Sequence, residues 1–229
     1  MTVERATAAV KIHTRGLLFD MDGVLVSSLG SVERSWRRWA ERHGMDVDST
    51  VRAAHGRRAI DTLRALLPEG DHAAELKAIE DLEVADMADM EILDGVMPIL
   101  TSLPQKYWTI VTSATGRLAR ARLAYGGVPV PQSIVTGEMV EVGKPGPEPY
   151  MKGAQILGLL PGDCLVIEDS VSGAQAGHNA GCKVLATTFL HSADELTAAD
   201  WVVHSLAGVT VTVLGGDLGL MLELQSLRG

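Results

Sequence analysis

Aromatic side chains are scarce in this chain. They make up 4% of its 229 residues, while hydrophobic residues reach 46%, so Leu, Val, Ile and Ala must fill a core of appreciable size. Cysteine is scarcer still, with only Cys164 and Cys182. They lack paired metal-ligand spacing and any secretory context, so buried reduced thiols are expected rather than a disulfide framework. The seven histidines are scattered, which leaves no cluster for zinc. Positive charge is in deficit, with a formal net charge of −9. Nucleic-acid surfaces are normally basic, so that balance argues against such a partner. A small anionic substrate remains compatible, because the local field matters more than the sum. No apolar run approaches the ~18 residues of a membrane span. The start, M-T-V-E-R-A-T-A-A-V-K, has no charged opening followed by a long apolar region, so no signal peptide is expected. Internal repeats and low-complexity tracts are absent as well. The expectation is a cytoplasmic monomer with neither nucleic-acid nor membrane partner, built as one large domain or a domain carrying an insert.

What is present centres on Gly16 to Val26, G-L-L-F-D-M-D-G-V-L-V. The apolar run Leu17-Leu18-Phe19 is continuous rather than alternating, which predicts a buried parallel strand. It ends in two carboxylates one residue apart, Asp20 and Asp22, followed by Gly23. Open α/β sheets bind ligands at the carboxyl ends of their strands. Two charged groups there require a partner, and a cation or a phosphate chemistry would supply one.

Residues 1–15 read as a poorly ordered lead-in. From about Leu29 to Ile92 only helical periodicity is found. Val32, Trp36, Trp39, Ala40 and His43 recur at helix spacing, and Gly44 is placed to end that helix. The two tryptophans are expected as core between helices. Ile60, Leu63, Leu66 and Leu67 suggest a second helix ending at Pro68, and Leu76, Ile79 and Leu82 a third over about Ala73 to Met87. Residues 69–94 hold ten Asp/Glu against one Lys, which predicts a solvated acidic helix surface. Residues 31–58 hold seven Arg against four Asp/Glu, so an approaching anion should meet that side.

After Asp94-Gly95 the rhythm changes. Helices are predicted over Val96–Leu103, Leu118–Tyr125, Glu148–Leu157 and Ser170–Ala180, the last begun by a capping Ser170. Strands are predicted over Tyr107–Val111, Ser133–Val135, Leu165–Ile167, Lys183–Ala186 and Trp201–Val203. Residues 142–147 form a Pro/Gly loop carrying Lys144. Strands alternating with helices indicate a doubly wound, mostly parallel α/β sheet. The expected division is a core of residues 1–27 and 93–229, with residues 28–92 inserted as a small all-helical cap.

Three predicted strands end in polar pairs: Asp20 with Asp22, Thr112 with Ser113, and Glu168 with Asp169. In a parallel sheet these ends share one edge. Four carboxylates gathered there would repel one another, and Mg2+, which takes oxygen ligands, is the natural counter-ion. Each segment has a plainer reading: Thr112-Ser113 as a strand end, Lys144 as a loop lysine, Glu168-Asp169 as a helix cap. Ser170 already caps that helix, so the two acids stay unexplained without a cation.

The four segments in this order resemble the haloacid dehalogenase superfamily, over nearly the whole chain and with the helical insert after the first strand. H-G-R-R (55–58), T-S-A-T (112–115), G-K-P-G-P-E-P-Y (143–150) and I-E-D-S-V-S-G-A-Q-A-G (167–177) are most similar to its glycerol-phosphate and hexose-phosphate phosphatases. Gly146 departs from many relatives, which carry a bulkier residue, and implies a looser loop. The resemblance implies Asp20 as nucleophile forming an aspartyl phosphate. It implies Asp22 as general acid and base, with its backbone carbonyl toward the metal. Asp169 would bind Mg2+ together with Asp20, and Glu168 would bind it directly or hold a metal water. Ser113 and the Ala114 amide would bind the phosphoryl group, and Lys144 would neutralise it. His55, Arg57 and Arg58 are candidates for substrate specificity, with an ordinary basic helix start as the alternative. Arg117 and Glu138 are further candidates at the core edge. The expected partner is a small phosphorylated sugar or polyol. Two other readings stay open: a sugar-phosphate mutase of the β-phosphoglucomutase type, and a non-catalytic phospho-receiver or binding module.

Overall fold

Residues 8–215 and 218–227 are described in a computed structural model. The strands in chain order are β1 (Ala8–Thr14), β2 (Gly16–Phe19), β3 (Val26–Ser27), β4 (Glu91–Ile92), β5 (Trp108–Ile110), β6 (Cys164–Glu168), β7 (Lys183–Thr187), β8 (Trp201–Val203), β9 (Thr210–Val213) and β10 (Leu220–Ser226). The α-helices are α1 (Leu29–His43), α2 (Val47–Ala54), α3 (Ala59–Leu66), α4 (His72–Ala85), α5 (Val96–Ser102), α6 (Gly116–Gly126), α7 (Glu148–Ile156) and α8 (Val171–Asn179).

The central sheet is all parallel, in the order β5-β2-β6-β7-β8. Every residue of β2, β5 and β6 is buried, as continuous apolar runs covered on both faces require. One face packs Leu17, Phe19, Trp108 and Ile110 with α5 and α6. The other packs Leu18, Val166 and Val184 against Tyr150 and Ala174 of α7 and α8. The fold is therefore the expected doubly wound α/β type.

The N-terminal lead-in is corrected over its described part, and residues 1–7 lie outside the described residues. β1 pairs antiparallel with β10, from Ala8 opposite Ser226 to Thr14 opposite Leu220, and β9 completes a separate three-stranded sheet. Its sequence alternates: Ile12 and Thr14 point inward, while Lys11 and His13 stay exposed. Ser133–Val135 is not a strand but a single bridge from Val135 to Val111. Tyr107 ends a 3-10 turn, and the strand begins at Trp108.

Helices α1 to α4 enclose their own apolar cluster of Trp36, Trp39, Val51, Ala54, Leu63 and Ile79. Trp36 and Trp39 meet edge to face at 5.6 Å, and Trp39 Nε1 donates to Glu75 at 2.7 Å. Gly44 ends α1 at φ 63°, a conformation that costs glycine nothing. α2, unanticipated from the sequence, starts where the Asp46 carboxylate accepts from the Ser49 amide at 2.8 Å. The stretch from Leu29 to Ile92 is not wholly helical. Glu91 and Ile92 pair antiparallel with Ser27 and Val26, so the chain leaves and re-enters the sheet region through one short ribbon.

The acidic run is not simply solvated. Arg34 of α1 pairs with Asp86 and Asp89 at 2.7 Å, Arg117 of α6 pairs with Glu80 and Asp81, and Arg122 pairs with Glu83. Within the arginine-rich stretch, Arg34 and Arg58 are committed to acids of the insert itself and so are not free to meet an anion.

Candidate active site

β2 lies between β5 and β6, so the parallel register brings three strand ends to one edge. The Asp20 amide donates to Ile167 O at 2.9 Å, which fixes Asp20 beside the end of β6. Above this edge lies a cavity of about 570 Å³. Asp20, Asp22, Ser113, Lys144 and Asp169 line it from the sheet side, and Trp36, His55, Arg57, Ile79 and Glu80 from the helices.

Carboxylate oxygens of Asp20, Glu168 and Asp169 all lie within 4.8 Å of one another. Lys144, 3% exposed at its side chain, reaches into them: Nζ donates to Asp20 Oδ1 at 2.5 Å and to Glu168 Oε1 at 2.6 Å. Burial lowers the lysine's proton affinity, but Asp20 and Glu168 more than offset this, so it stays charged. One ammonium does not balance three buried carboxylates. Burial, opposed by Lys144 and reinforced by Glu168 and Asp22, pushes Asp20 up to about 7. Burial and the charges of Glu168 and Asp20 push Asp169 well above the usual carboxylate range. Protons held where carboxylates crowd mark a place that suits a divalent cation with oxygen preference.

The three carboxylates are not equivalent. Glu168 is fully buried, and both its oxygens are committed. Oε1 accepts from Lys144 and from Tyr150 Oη at 2.7 Å, and Oε2 accepts from the amides of Asp169 and Ser170 and from Ser170 Oγ, at 2.9 to 3.0 Å. Burial alone would raise its pKa, but Lys144 and these bonds hold it below the ordinary value. A Cβ on Gly173 would stand 1.7 Å from a Glu168 oxygen, so only glycine leaves room for this carboxylate under α8. Glu168 belongs to the carboxylate cluster that could hold a metal ion, as a direct ligand or through a water, while its oxygens already accept from protein donors. With five donors on two oxygens, it orients Lys144 and the start of α8. For Asp169, among the described residues, no donor lies within hydrogen-bond distance of the carboxylate. Gly23, at φ +82°, is what lets Asp169 approach: a Cβ there would lie 1.9 Å from Oδ2. Of the three clustered carboxylates, Asp20 and Asp169 line the cavity.

Asp22 stands at the cavity wall. Its Oδ1 accepts from Ser28 Oγ at 2.6 Å and from Arg122 Nη1 at 2.8 Å. Ser28 precedes α1 but spends its hydroxyl on Asp22 rather than on the helix end. Ser113 also lines the cavity, as expected. Ala114 lines it too, and its amide donates to Thr112 Oγ1 at 3.0 Å. Thr115 rather than Ser113 caps α6, accepting from the Leu118 amide. Glu138 lies at the cavity and accepts from the Gly116 amide at 2.8 Å, and Arg117 binds the insert rather than the site.

The loop carrying Lys144 is tight despite Gly146. Glu148 Oε2 accepts from the Glu141 and Val142 amides at 2.9 Å each, and the Gly146 amide donates to Gly143 O at 2.8 Å. A Cβ at 146 would sit 2.7 Å from Val142 Cγ1, so glycine here permits close packing instead of loosening. The Lys144–Pro145 peptide is cis.

The three insert candidates separate. Arg58 is buried, and all five of its N–H donors are used, on Asp61 and on the carbonyls of Gly137, Val140 and Glu141. It has none left for a substrate, so its expected specificity role is replaced by that of a latch to the core. Arg57 is exposed at the cavity. His55 lines the cavity too, with a buried Nε2 that has no partner among the described residues, and burial lowers its pKa.

Sequence reasoning missed Ser28, Tyr150, Gly173 and Arg122. Only Arg122 carries a local signal, as an arginine sharing the buried face of α6 with Leu118, Ala119 and Leu123.

Residues 14–181 match the haloacid dehalogenase-like hydrolase family. The chain is 41% identical over 206 residues to hexitol phosphatase A of Escherichia coli K12, covering 88% of this chain and 95% of that one. It is 28% identical to glycerol-1-phosphate phosphohydrolase 2 of Saccharomyces cerevisiae, over 80% and 79% of the two chains. The structure of CbbY from Rhodobacter sphaeroides in complex with phosphate superposes with a TM-score of 0.74 at 20% identity, covering 85% and 95%. The chain belongs to the haloacid dehalogenase-like hydrolase family, and it is an enzyme of hydrolase type.

Proposed function

We propose that the protein is a Mg2+-dependent phosphatase of small phosphorylated sugars or polyols. The observation that carries this reading is the convergence of Asp20, Asp169 and Lys144 at the floor of the cavity, with Asp22 on its wall. The relatives named as hexitol and glycerol-phosphate phosphatases support the substrate class. Residues 28–92 act as a cap over a core of residues 1–27 and 93–229, and the β3–β4 ribbon is the joint between them.

A carboxylate oxygen of Asp20 attacks phosphorus, and the P–O bond to the sugar breaks. Asp22 gives its proton to the departing alkoxide, which leaves as an alcohol. Asp22 then takes a proton from water as that water attacks the aspartyl phosphate. Inorganic phosphate leaves and Asp20 is restored. Lys144 and Ser113 hold the charge on the transferring group. Asp20 and Asp169 would ligate Mg2+, which supplies charge neutralisation of the phosphoryl oxygens. Glu168 keeps Lys144 in place. In the insert, Arg57 and His55 face the sugar.

The test is phosphate release with Mg2+ across phosphorylated hexoses, hexitols and glycerol, with β-glucose 1-phosphate included. Release of inorganic phosphate from one group of substrates is expected. Conversion of β-glucose 1-phosphate to glucose 6-phosphate without release would replace the phosphatase reading with a mutase.

A further inference from the structure

Arg122 lies on the apolar face of α6 with its side chain 3% exposed, so its charge must be met inside the protein. The guanidinium bridges two carboxylates. Nη1 donates to Asp22 Oδ1 at 2.8 Å, and Nη2 donates to Glu83 Oε2 at 2.9 Å. Asp22 follows β2, whereas Glu83 is on α4 in the insert. A single buried cation thus joins the carboxylate on the cavity wall to the helix that roofs the cavity. Ser28 donates to the same Asp22 oxygen at 2.6 Å. Two donors fix Oδ1. Among the described residues, Oδ2 accepts no hydrogen bond, and Asp22 lines the cavity.

The geometry points to Arg122 as a positioning residue that aims Asp22 at the leaving oxygen of the bound ester, and does so only while α4 is seated on α6 through Glu83. This rests on the proposed phosphatase reading, in which Asp22 is the acid. When the P–O bond breaks, the proton on Asp22 passes to the leaving alkoxide. A sugar or polyol alkoxide is strongly basic and departs only with that proton. A nitrophenolate is weakly basic and departs without it. The orientation of Asp22 therefore matters for one ester and little for the other. Arg58 is the internal contrast: it is also buried between insert and core, but it touches carbonyls and Asp61 and no strand-end carboxylate.

The experiment compares kcat for glycerol 3-phosphate or a hexitol phosphate with kcat for 4-nitrophenyl phosphate. The proteins are wild type, Arg122→Lys, Arg58→Lys and the double variant Arg122→Met/Glu83→Met. The double variant removes the buried pair together, so neither Arg122 nor Glu83 is left without the other, and Asp22, partly exposed, keeps its bond from Ser28. If it does not fold, Arg122→Lys and Glu83→Gln carry the comparison. Loss of the aimed acid should lower the alkyl ester rate by about 100-fold, the lower end of what general acid–base catalysis contributes. The aryl ester rate should fall by less than about tenfold, and Arg122→Lys, which keeps the charge but not the guanidinium's two-armed reach, should fall between wild type and the double variant. Arg58→Lys should lower both rates in parallel. Parallel losses in the folded Arg122 variants, with an active wild type, would overturn the positioning role and leave the phosphatase reading standing. A wild type that releases phosphate from neither ester would overturn that reading, and this inference with it.

Discussion

The sheet edge and the helical insert handle charge in opposite ways. At the edge, three carboxylates and one ammonium are packed together out of water, and two of the carboxyls hold protons at unusually high pH. In the insert, acids are more numerous, and several stand in exposed ion pairs such as Lys77–Asp81 and Arg34–Asp89. Exposed pairs contribute little, typically below about 1 kcal/mol. The edge carries a buried charge imbalance that a cation would relieve, whereas every acid of the insert except Glu83 is at least partly exposed to water. Among the described residues, only Arg58 and Arg122 cross between the two as buried cations, and both are committed to protein partners.

The largest effect should come from the edge. Removing divalent metal with a chelator should reduce phosphate release to background, and undiminished rates in metal-free protein would break the contrast. The same site predicts a pH dependence. Without metal the folded protein keeps protons on Asp20 and Asp169 that the unfolded chain has released above about pH 4. The contribution of these two groups to the stability of the metal-free protein is thus fully present below that pH and is lost as pH rises through about 7 for Asp20. Mg2+ replaces those protons, so the rise in Tm that it causes should be small at pH 5 and larger at pH 8. A rise that shrinks with pH would contradict the ligand assignment.

Gly173→Ala places a methyl group against Glu168, which is 1.7 Å from the added Cβ and cannot stay where it is. Displacing Lys144 with it should cost on the order of 100-fold in kcat, as a misplacement of about 1 Å does elsewhere. Wild-type turnover in a folded Gly173→Ala protein would show that Glu168 does not organise the site.

Trp39→Ala sharpens the comparison from the other side. Trp39 is fully buried between insert helices, and its loss should destabilise by about 3–5 kcal/mol. The sheet has a core of its own, so hydrogen exchange should accelerate in residues 29–85 before it does in β2 and β6. Uniform acceleration would mean that the two regions unfold as one. The smallest effect is expected at exposed Arg57. Arg57→Ala should shift preference among sugar phosphates by about tenfold, with a smaller change on an aryl phosphate. Equal changes on both would remove its specificity role.

The legible parts of the site are those whose signal is local. Asp20, Asp22, Glu168 and Asp169 announce themselves as carboxylates directly after buried apolar runs, and Ser170 as a helix cap, within a few residues of chain. The missed parts depend on distant partners. β1 alternates correctly, but its reason to be a strand is β10, at the other end of the chain. The acidic run looks solvated until α6 is placed against α4. Arg58 looks like a ligand-binding arginine until the carbonyls of residues 137–141 are placed around it. Arg122 was readable only as an oddity on an apolar face, and its two partners lie on different elements. The motif position of Glu168 marks it as a site carboxylate, but no spacing reveals the five donors that hold it.

The most direct measurement is phosphate release by Asp20→Asn with Mg2+ and the best sugar or polyol phosphate, alongside a thermal melt of the same protein. The amide is nearly isosteric with the carboxylate, so the variant should fold, and with no nucleophile its kcat should fall on the order of 10⁴-fold or more. A folded Asp20→Asn protein that turns over at the wild-type rate would contradict the aspartyl-phosphate mechanism and the placement of the active site at the end of β2.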